Sequence, residues 1–252
     1  MLIDTHIHLD AAEFDHDRAA VLERARLAGV GGFVVPAVDR PGFAGVLRLA
    51  ETTPGVFPAL GIHPLRVDAA SEADLAALDD LLGQGRCVAV GEIGLDHYVP
   101  GVDAARQQAF FIAQLELARK HGLPVILHSR RAQDAVLAAL RRADVVGGIA
   151  HAFNGSFQQA AALIALGFKL GFGGAMTFPG ARRIWRLAAE LPLDAIVLET
   201  DAPDMPPAWG RGGRNEPENL LLYAETLAGL RGLASESLIA ASTGNAKKIL
   251  RL

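Results

Sequence analysis

Residues Met1–Asp10 read MLIDTHIHLD. An apolar start runs into two histidines one residue apart, His6 and His8, with Asp4 two positions before His6. Side chains alternate along an extended chain, so all three share one face and reach towards one point. Three ionisable groups on one face of a buried strand cost free energy unless the strand's end uses them.

The pattern then repeats. Short apolar segments recur, each followed by a helical stretch: LIDTH, GGFVVPA, VFPALGIH, RCVAVGE, PVILH, GGIAH, GFKLGF and AIVLET. Markers at Ile3, Gly32, Val56, Val88, Val125, Gly148, Phe168 and Ile196 are spaced as successive βα units should be. Several segments are continuously apolar, as strands covered on both faces are. Eight such units predict an α/β protein, a (β/α)8 TIM barrel spanning residues 1–252 as one domain. An open doubly wound sheet is the competing arrangement. The first turn, HIHLDAAEFDHD, lacks G-x-G-x-x-G, which removes support from it.

Helix signals agree. Ser71–Asp74 and Ser156–Gln159 fit capping boxes. Asp103 caps a helix expected to run to about His121 and stop at Gly122. Phe111, Leu115 and Ala118 give that helix an apolar stripe for the core. The stretch DAPDMPPAWGRGGRNEP reads as a long loop after the eighth strand. GFGGAMTFPGARRIW, after the seventh, is glycine-rich without G-K-[ST] and reads as a flexible rim.

Composition sets limits. The chain has 252 residues, 51% of them apolar, and a formal net charge of -4. That supports a large core and argues against a whole-surface polyanion binder; contact with nucleic acid would be local. The one cysteine, Cys87, rules out an internal disulfide and reads as a small core residue. There is no basic-then-apolar start and no apolar run near ~20 residues, so a cytoplasmic protein with no membrane partner is expected.

The apolar segments end in chemistry. They stop at His6 and His8, His63, Glu92, His128, His151 and Asp201. In a barrel these ends meet at one mouth. One strand-end histidine is ordinary; this many imidazoles and carboxylates together are costly to bury unless cations offset them. The set suits two adjacent divalent ions sharing a carboxylate. Glu92, between the other ligands, is the natural bridge.

DTHIHLD, GIHP, GEIGLD, VILHSR, HAFNGS, ETDAPDMP and RNEPENL occur in this order. The set resembles the TatD family of metal-dependent hydrolases, within the amidohydrolase superfamily, over Leu2 to about Leu250. The resemblance implies a (β/α)8 barrel, divalent metal dependence and, in many members, deoxyribonuclease activity. It implies that His6, His8 and Asp201 hold one metal, that His128 and His151 hold the other, and that Glu92 bridges. Some superfamily members bridge with a carboxylated lysine. Here the four lysines are Lys120, Lys169, Lys247 and Lys248, and none ends the fourth strand.

Other residues are candidates of a second rank. His63 and Arg130 sit next to proposed ligands and are expected to bind substrate, Arg130 by forking onto phosphate oxygens. Asp4 and Glu199 each precede a ligand by two positions and either orient an imidazole or pack structurally. Tyr98, His97, Phe153 and Phe172 either stack on bases or cover the core. Asn215, Glu216 and Pro217 read as a helix start, and Arg211 and Arg214 as solvated.

The function expected is phosphodiester hydrolysis of DNA ends by a metal-bound hydroxide, with Mg, Mn or Zn as the metal. Asp201 would move the proton, and Glu92 would act beside it. The rival chemistry is hydrolysis of a carbonyl centre: a D-aminoacyl-tRNA ester, a lactone or an amide. A non-catalytic barrel would show a broken ligand set, and this one is whole.

Overall fold

The computed structural model describes residues 1–252, and each of the eight apolar segments forms a strand in it. They are β1 (Leu2–Asp4), β2 (Val30–Pro36), β3 (Val56–Leu60), β4 (Ala89–Asp96), β5 (Val125–Arg130), β6 (Gly148–Ala150), β7 (Phe168–Phe172) and β8 (Ile196–Leu198). All neighbours pair in parallel in the order β1 to β8. The helices are α1 (Arg18–Leu27), α2 (Arg40–Thr52), α3 (Glu72–Leu82), α4 (Ala104–His121), α5 (Gln133–Ala143), α6 (Phe157–Ala165), α7 (Arg182–Glu190), α8 (Asn219–Arg231) and α9 (Ser235–Leu250). The architecture is a TIM barrel.

The seam between β8 and β1 is closed by single contacts. Thr5 N donates to Leu198 O (3.1 Å) and Asp201 N to His6 O (2.9 Å). Asp4 seals it from the side: its Oδ1 accepts from Thr200 N (2.9 Å), and Oδ2 lies 2.5 Å from Thr200 Oγ1. Asp4 is wholly buried, and burial pushes its carboxyl up to about 8. The inward residues Ile3, Val34, Ile126 and Val197 fill the lower barrel with Ala246 and Leu250 from α9. The α9 helix therefore closes the end opposite the mouth.

Local signals act where they were expected. Asp103 Oδ1 accepts from Ala105 N and Arg106 N, and Gly122 ends α4 at φ +63°. Ser156 and Gln159 make a complete capping box. Phe111, Leu115, Ala118 and Cys87 are buried. No helix is long and apolar enough to cross a membrane.

Three readings change. The β4 strand continues past Glu92 to Asp96, with a register shift between Val90 and Ile93. The glycines of 171–174 serve close packing, not a flexible rim. A Cβ on Gly171 would collide with Glu199 Oε2, and one on Gly173 would collide with Glu199 O. Asn215 caps no helix, since α8 starts at Asn219. It is fully buried, and its Nδ2 donates to Thr200 O and Asp204 O (2.8 and 2.9 Å) while its Oδ1 accepts from Tyr223 Oη (3.2 Å). This holds the long loop down on β8.

Candidate metal centre

The strand ends place six side chains around one point at the barrel mouth. Glu92, buried at the middle of β4, is the hub. Its Oε2 lies 3.3 Å from His6 Nε2 and 3.8 Å from His8 Nε2. Its Oε1 lies 2.8 Å from His128 Nδ1 and 3.7 Å from His63 Nε2. The two oxygens thus face different sets of imidazoles, as a bridging carboxylate requires. Asp201 Oδ1 is 3.6 Å from both His6 Nε2 and His8 Nε2, and its Oδ2 is 3.6 Å from His151 Nε2.

Potential ligand atoms form three overlapping groups, each within 4.8 Å: His6, His8 and Asp201; His6, Glu92 and His151; His63, Glu92 and His128. The His151 ring stacks on His6 with centroids 3.6 Å apart, so it stands on the His6 side of Glu92. His63 stands beside His128, with Nε2 to Nδ1 at 3.1 Å. A turn explains that placement: His63 Nδ1 accepts from Leu65 N, which aims Nε2 at the centre. The geometry therefore gives His63 the reach of a ligand as well as of a substrate contact.

Two of the remaining imidazole nitrogens lie close to carboxylates, whereas His6 Nδ1 is buried without a partner. His128 Nε2 lies 3.1 Å from Asp96 Oδ2. His151 Nδ1 lies 3.0 Å from Glu199 Oε1, which also accepts from Ala152 N (2.6 Å). A carboxylate behind a ligating histidine fixes the ring and raises its basicity. Asp96 also anchors a loop. Its Oδ1 accepts from Tyr98 N and Val99 N (2.8 and 3.1 Å), tying the loop above β4 to His128. Sequence reasoning missed Asp96, although GEIGLD shows it an even number of residues after Glu92. Of the two acids before ligands, Glu199 backs an imidazole and Asp4 closes the seam.

Electrostatics follow from this packing. Burial opposes a charge on Glu92, but His6, His63 and His128 hold its carboxyl well below the usual range. Burial also opposes a proton on His128, yet Asp96 and Glu92 raise it to about 9. Burial takes His63 down to about 4. Burial opposes charge on Asp201 too, and His151 and His6 outweigh it, so the carboxyl stays ionised.

The donor set fits divalent cations. His6 Nε2 and His8 Nε2 face each other at 3.3 Å, and two neutral imidazoles cannot both present lone pairs across that gap without repulsion. A cation between the donors removes the conflict. Nitrogen with carboxylate oxygen suits Zn or Mn, and Mg with added water.

The site opens into a cleft of about 930 Å³ that Tyr98, Arg130, Arg131, Asn154 and Arg183 also line. Asp201, Arg131, Ala152 and Met205 all have positive φ (59°, 54°, 45° and 50°). Strained backbone is thus gathered at the mouth. The Arg130 guanidinium lies 3.7 Å from the Tyr98 ring centre. Phe153 and Phe172 are buried in the core, and His97 is exposed outside the cleft. Arg214 is not a free surface cation: it forks onto Asp17 (2.8 and 2.7 Å) and reaches Glu216. Arg211 is exposed away from the cleft. Arg131 and Arg183 carried no motif that would have marked them.

A family described as TatD related DNase matches residues 3–251. YjjV of Escherichia coli (strain K12), described as an uncharacterized metal-dependent hydrolase, is 42% identical over 246 residues, covering 96% of this chain and 95% of its own. YabD of Bacillus subtilis (strain 168), described in the same words, is 36% identical over 254 residues, the full length of both. The crystal structure of YjjV matches with a TM-score of 0.96 at 40% identity, over 100% of this chain and 98% of that one. An uncharacterized amidohydrolase from Saccharomyces cerevisiae, 19% identical with a TM-score of 0.85 over 98% and 99% of the two chains, shares the fold.

Proposed function

The chain belongs to the TatD-related family of metal-dependent hydrolases, and from that premise we propose that it is a deoxyribonuclease that shortens DNA from an end. Two divalent ions, Mg, Mn or Zn, would be shared among His6, His8, Asp201, His151 and His128, with Glu92 between the two imidazole sets; the pairing of His151 with His128 that the resemblance implies gives way here to the stack of His151 on His6. When bound, such ions polarise a phosphoryl oxygen and lower the pKa of water towards ~7. Asp201 accepts the proton of the attacking water and returns it to the leaving oxygen; its ionised carboxyl suits that role. Glu92 keeps the two halves of the ligand set in register.

One observation carries the choice of phosphate over a carbonyl centre. Arg130, two residues beyond His128, enters the cleft with no carboxylate within ion-pair reach. Tyr98 braces its planar face, which leaves the N–H fork free for two phosphoryl oxygens.

The test uses metal-stripped protein reloaded singly with Mg, Mn or Zn and given end-labelled single-stranded DNA. A ladder shortening from one end, dependent on metal and lost in His128→Ala, is the expected result. Intact DNA with protein shown to bind two ions would overturn this reading and turn the search to aminoacyl esters and lactones.

A further inference from the structure

Two more arginines face the same cleft. Arg183, in the first turn of α7, donates from Nε (3.0 Å) and Nη2 (2.6 Å) to Asn154 Oδ1. Arg131 lies 4.6 Å from the centre of the Tyr98 ring and holds a left-handed backbone at φ +54°. We propose that Arg183, posed by Asn154 and lining the same cleft as Arg131, is a second phosphate subsite that selects a substrate carrying another phosphate next to the one being cleaved. This rests on the phosphodiester reading and narrows it to oligonucleotides over isolated phosphodiesters.

The pose is the first argument. Arg183 is an exposed side chain at a helix start, with water available on every outward side. It turns back over the mouth instead, onto a side chain from the loop after β6. Arg186, on the same helix, pairs with Glu190 (3.3 Å). Asn154 offers Arg183 a neutral oxygen, so the positive charge is oriented without being neutralised. A guanidinium has five N–H donors, and the remainder stay available.

Charge is the second argument. No carboxylate lies within 4.0 Å of Arg130, Arg131 or Arg183, although Glu92, Asp96 and Asp201 line the same cleft. The arginines therefore do not serve the acids of the floor. They line the cleft as an arc of unneutralised charge, from the end of β5 to the start of α7. Such an arc in a concave mouth draws an anion from outside. One phosphate can occupy Arg130, and the others need a separate anion.

Space is the third argument. The cleft, about 930 Å³, is at the upper end of ordinary small-ligand sites. A single phosphodiester group fills a small part of it. A nucleotide with phosphates on both sides uses the floor and the arc together.

The test is calorimetric binding of 2′-deoxyadenosine 3′,5′-bisphosphate to metal-loaded protein, against the 5′- and 3′-monophosphates. The wild type should bind the bisphosphate about tenfold or more tightly than either monophosphate. Arg183→Ala should lose that advantage while keeping its affinity for the monophosphates and its unfolding temperature. Arg182→Ala, the same charge change one residue away and outside the cleft, should keep the advantage. A wild type with no preference, an Arg183→Ala protein that retains it, or an Arg182→Ala protein that loses it equally would each overturn the subsite. The DNA ladder is read separately, so a protein that prefers the bisphosphate yet leaves DNA intact sinks the deoxyribonuclease reading alone.

Discussion

The floor of the barrel mouth and its rim are built on opposite terms. On the floor, ionisable groups are buried and packed against one another: Glu92 between two sets of imidazoles, Asp96 behind His128, Glu199 behind His151. On the rim, Arg130, Arg131 and Arg183 meet only an aromatic face or a neutral amide. A buried cluster is rigid because each lost partner strands a desolvated charge. An exposed guanidinium costs little to hold and is free to take an anion. Reaction chemistry should depend on the floor and substrate choice on the rim.

The largest effect tests the floor. Glu92→Gln removes the one carboxylate that faces both imidazole sets, and turnover should fall to background together with bound metal, read by elemental analysis of the purified variant. The amide keeps the carboxylate's shape, but the unfolding temperature should fall, because His6, His63 and His128 outweigh burial and hold that charge in the folded protein; thermal unfolding shows that the variant is still folded. Full metal content with normal turnover would mean that Glu92 bridges nothing.

Next come the carboxylates that touch ligands from behind. Glu199→Gln should weaken metal affinity by about 10- to 100-fold. Asp4→Asn should leave it unchanged, although Asp4 also lies two residues before a ligand. Asp4 meets the backbone and hydroxyl of Thr200, and an amide imitates its protonated carboxyl. Asp4→Ala should instead cost about 1–3 kcal/mol of stability by leaving seam donors unpaired. Chelator titration and thermal unfolding separate the two outcomes, and equal metal loss in both variants would erase the distinction between them.

Proton linkage sharpens the same contrast. In metal-free protein Asp96 and Glu92 outweigh burial and keep His128 protonated up to about pH 9. An ion needs that nitrogen bare, so loading below pH 9 expels a proton. Affinity should climb by about tenfold per pH unit for each proton released, and the His128 contribution should level off above pH 9. The sign is fixed: a raised imidazole favours the proton over the metal at low pH. Asp96→Asn should move the plateau to lower pH. An affinity that is flat from pH 7 to 9 would show that His128 is neutral or holds no ion.

How much of this could be read from sequence divides along the same line. That His6, His8, Glu92, His128, His151 and Asp201 converge was readable because each closes or follows an apolar run of sequence, and such runs in a barrel converge at one mouth, although β4 itself runs on past Glu92. The eight strands were readable from continuous apolar runs. The role of His63 was not, since a turn hydrogen bond aims its ring. Nor were the roles of Asp4 and Glu199, whose spacing is the same and whose partners differ. Gly171 looked like a mobile rim because the sequence does not show that Glu199 fills the space a Cβ would need. Arg131 and Arg183 lie on a loop and at a helix start, where no periodicity says which way a long side chain turns.

The smallest effects compare two arginines near the mouth, one that the sequence marks for phosphate and one that it reads as solvated. Arg130→Ala should raise KM for DNA by about tenfold with little change in kcat, as the loss of a charge-assisted pair to a bound phosphate would. Arg214→Ala should change KM by less than about twofold, because its guanidinium is committed to Asp17 and Glu216 and has no fork to offer. Its effect belongs to the fold, since the pairing ties the loop after β8 to α1, and the unfolding temperature should drop. Steady-state kinetics with thermal unfolding on both variants reads the difference. If the two raised KM alike, the positive charge around the mouth would be acting as a general field, and the separation of rim from scaffold would fail.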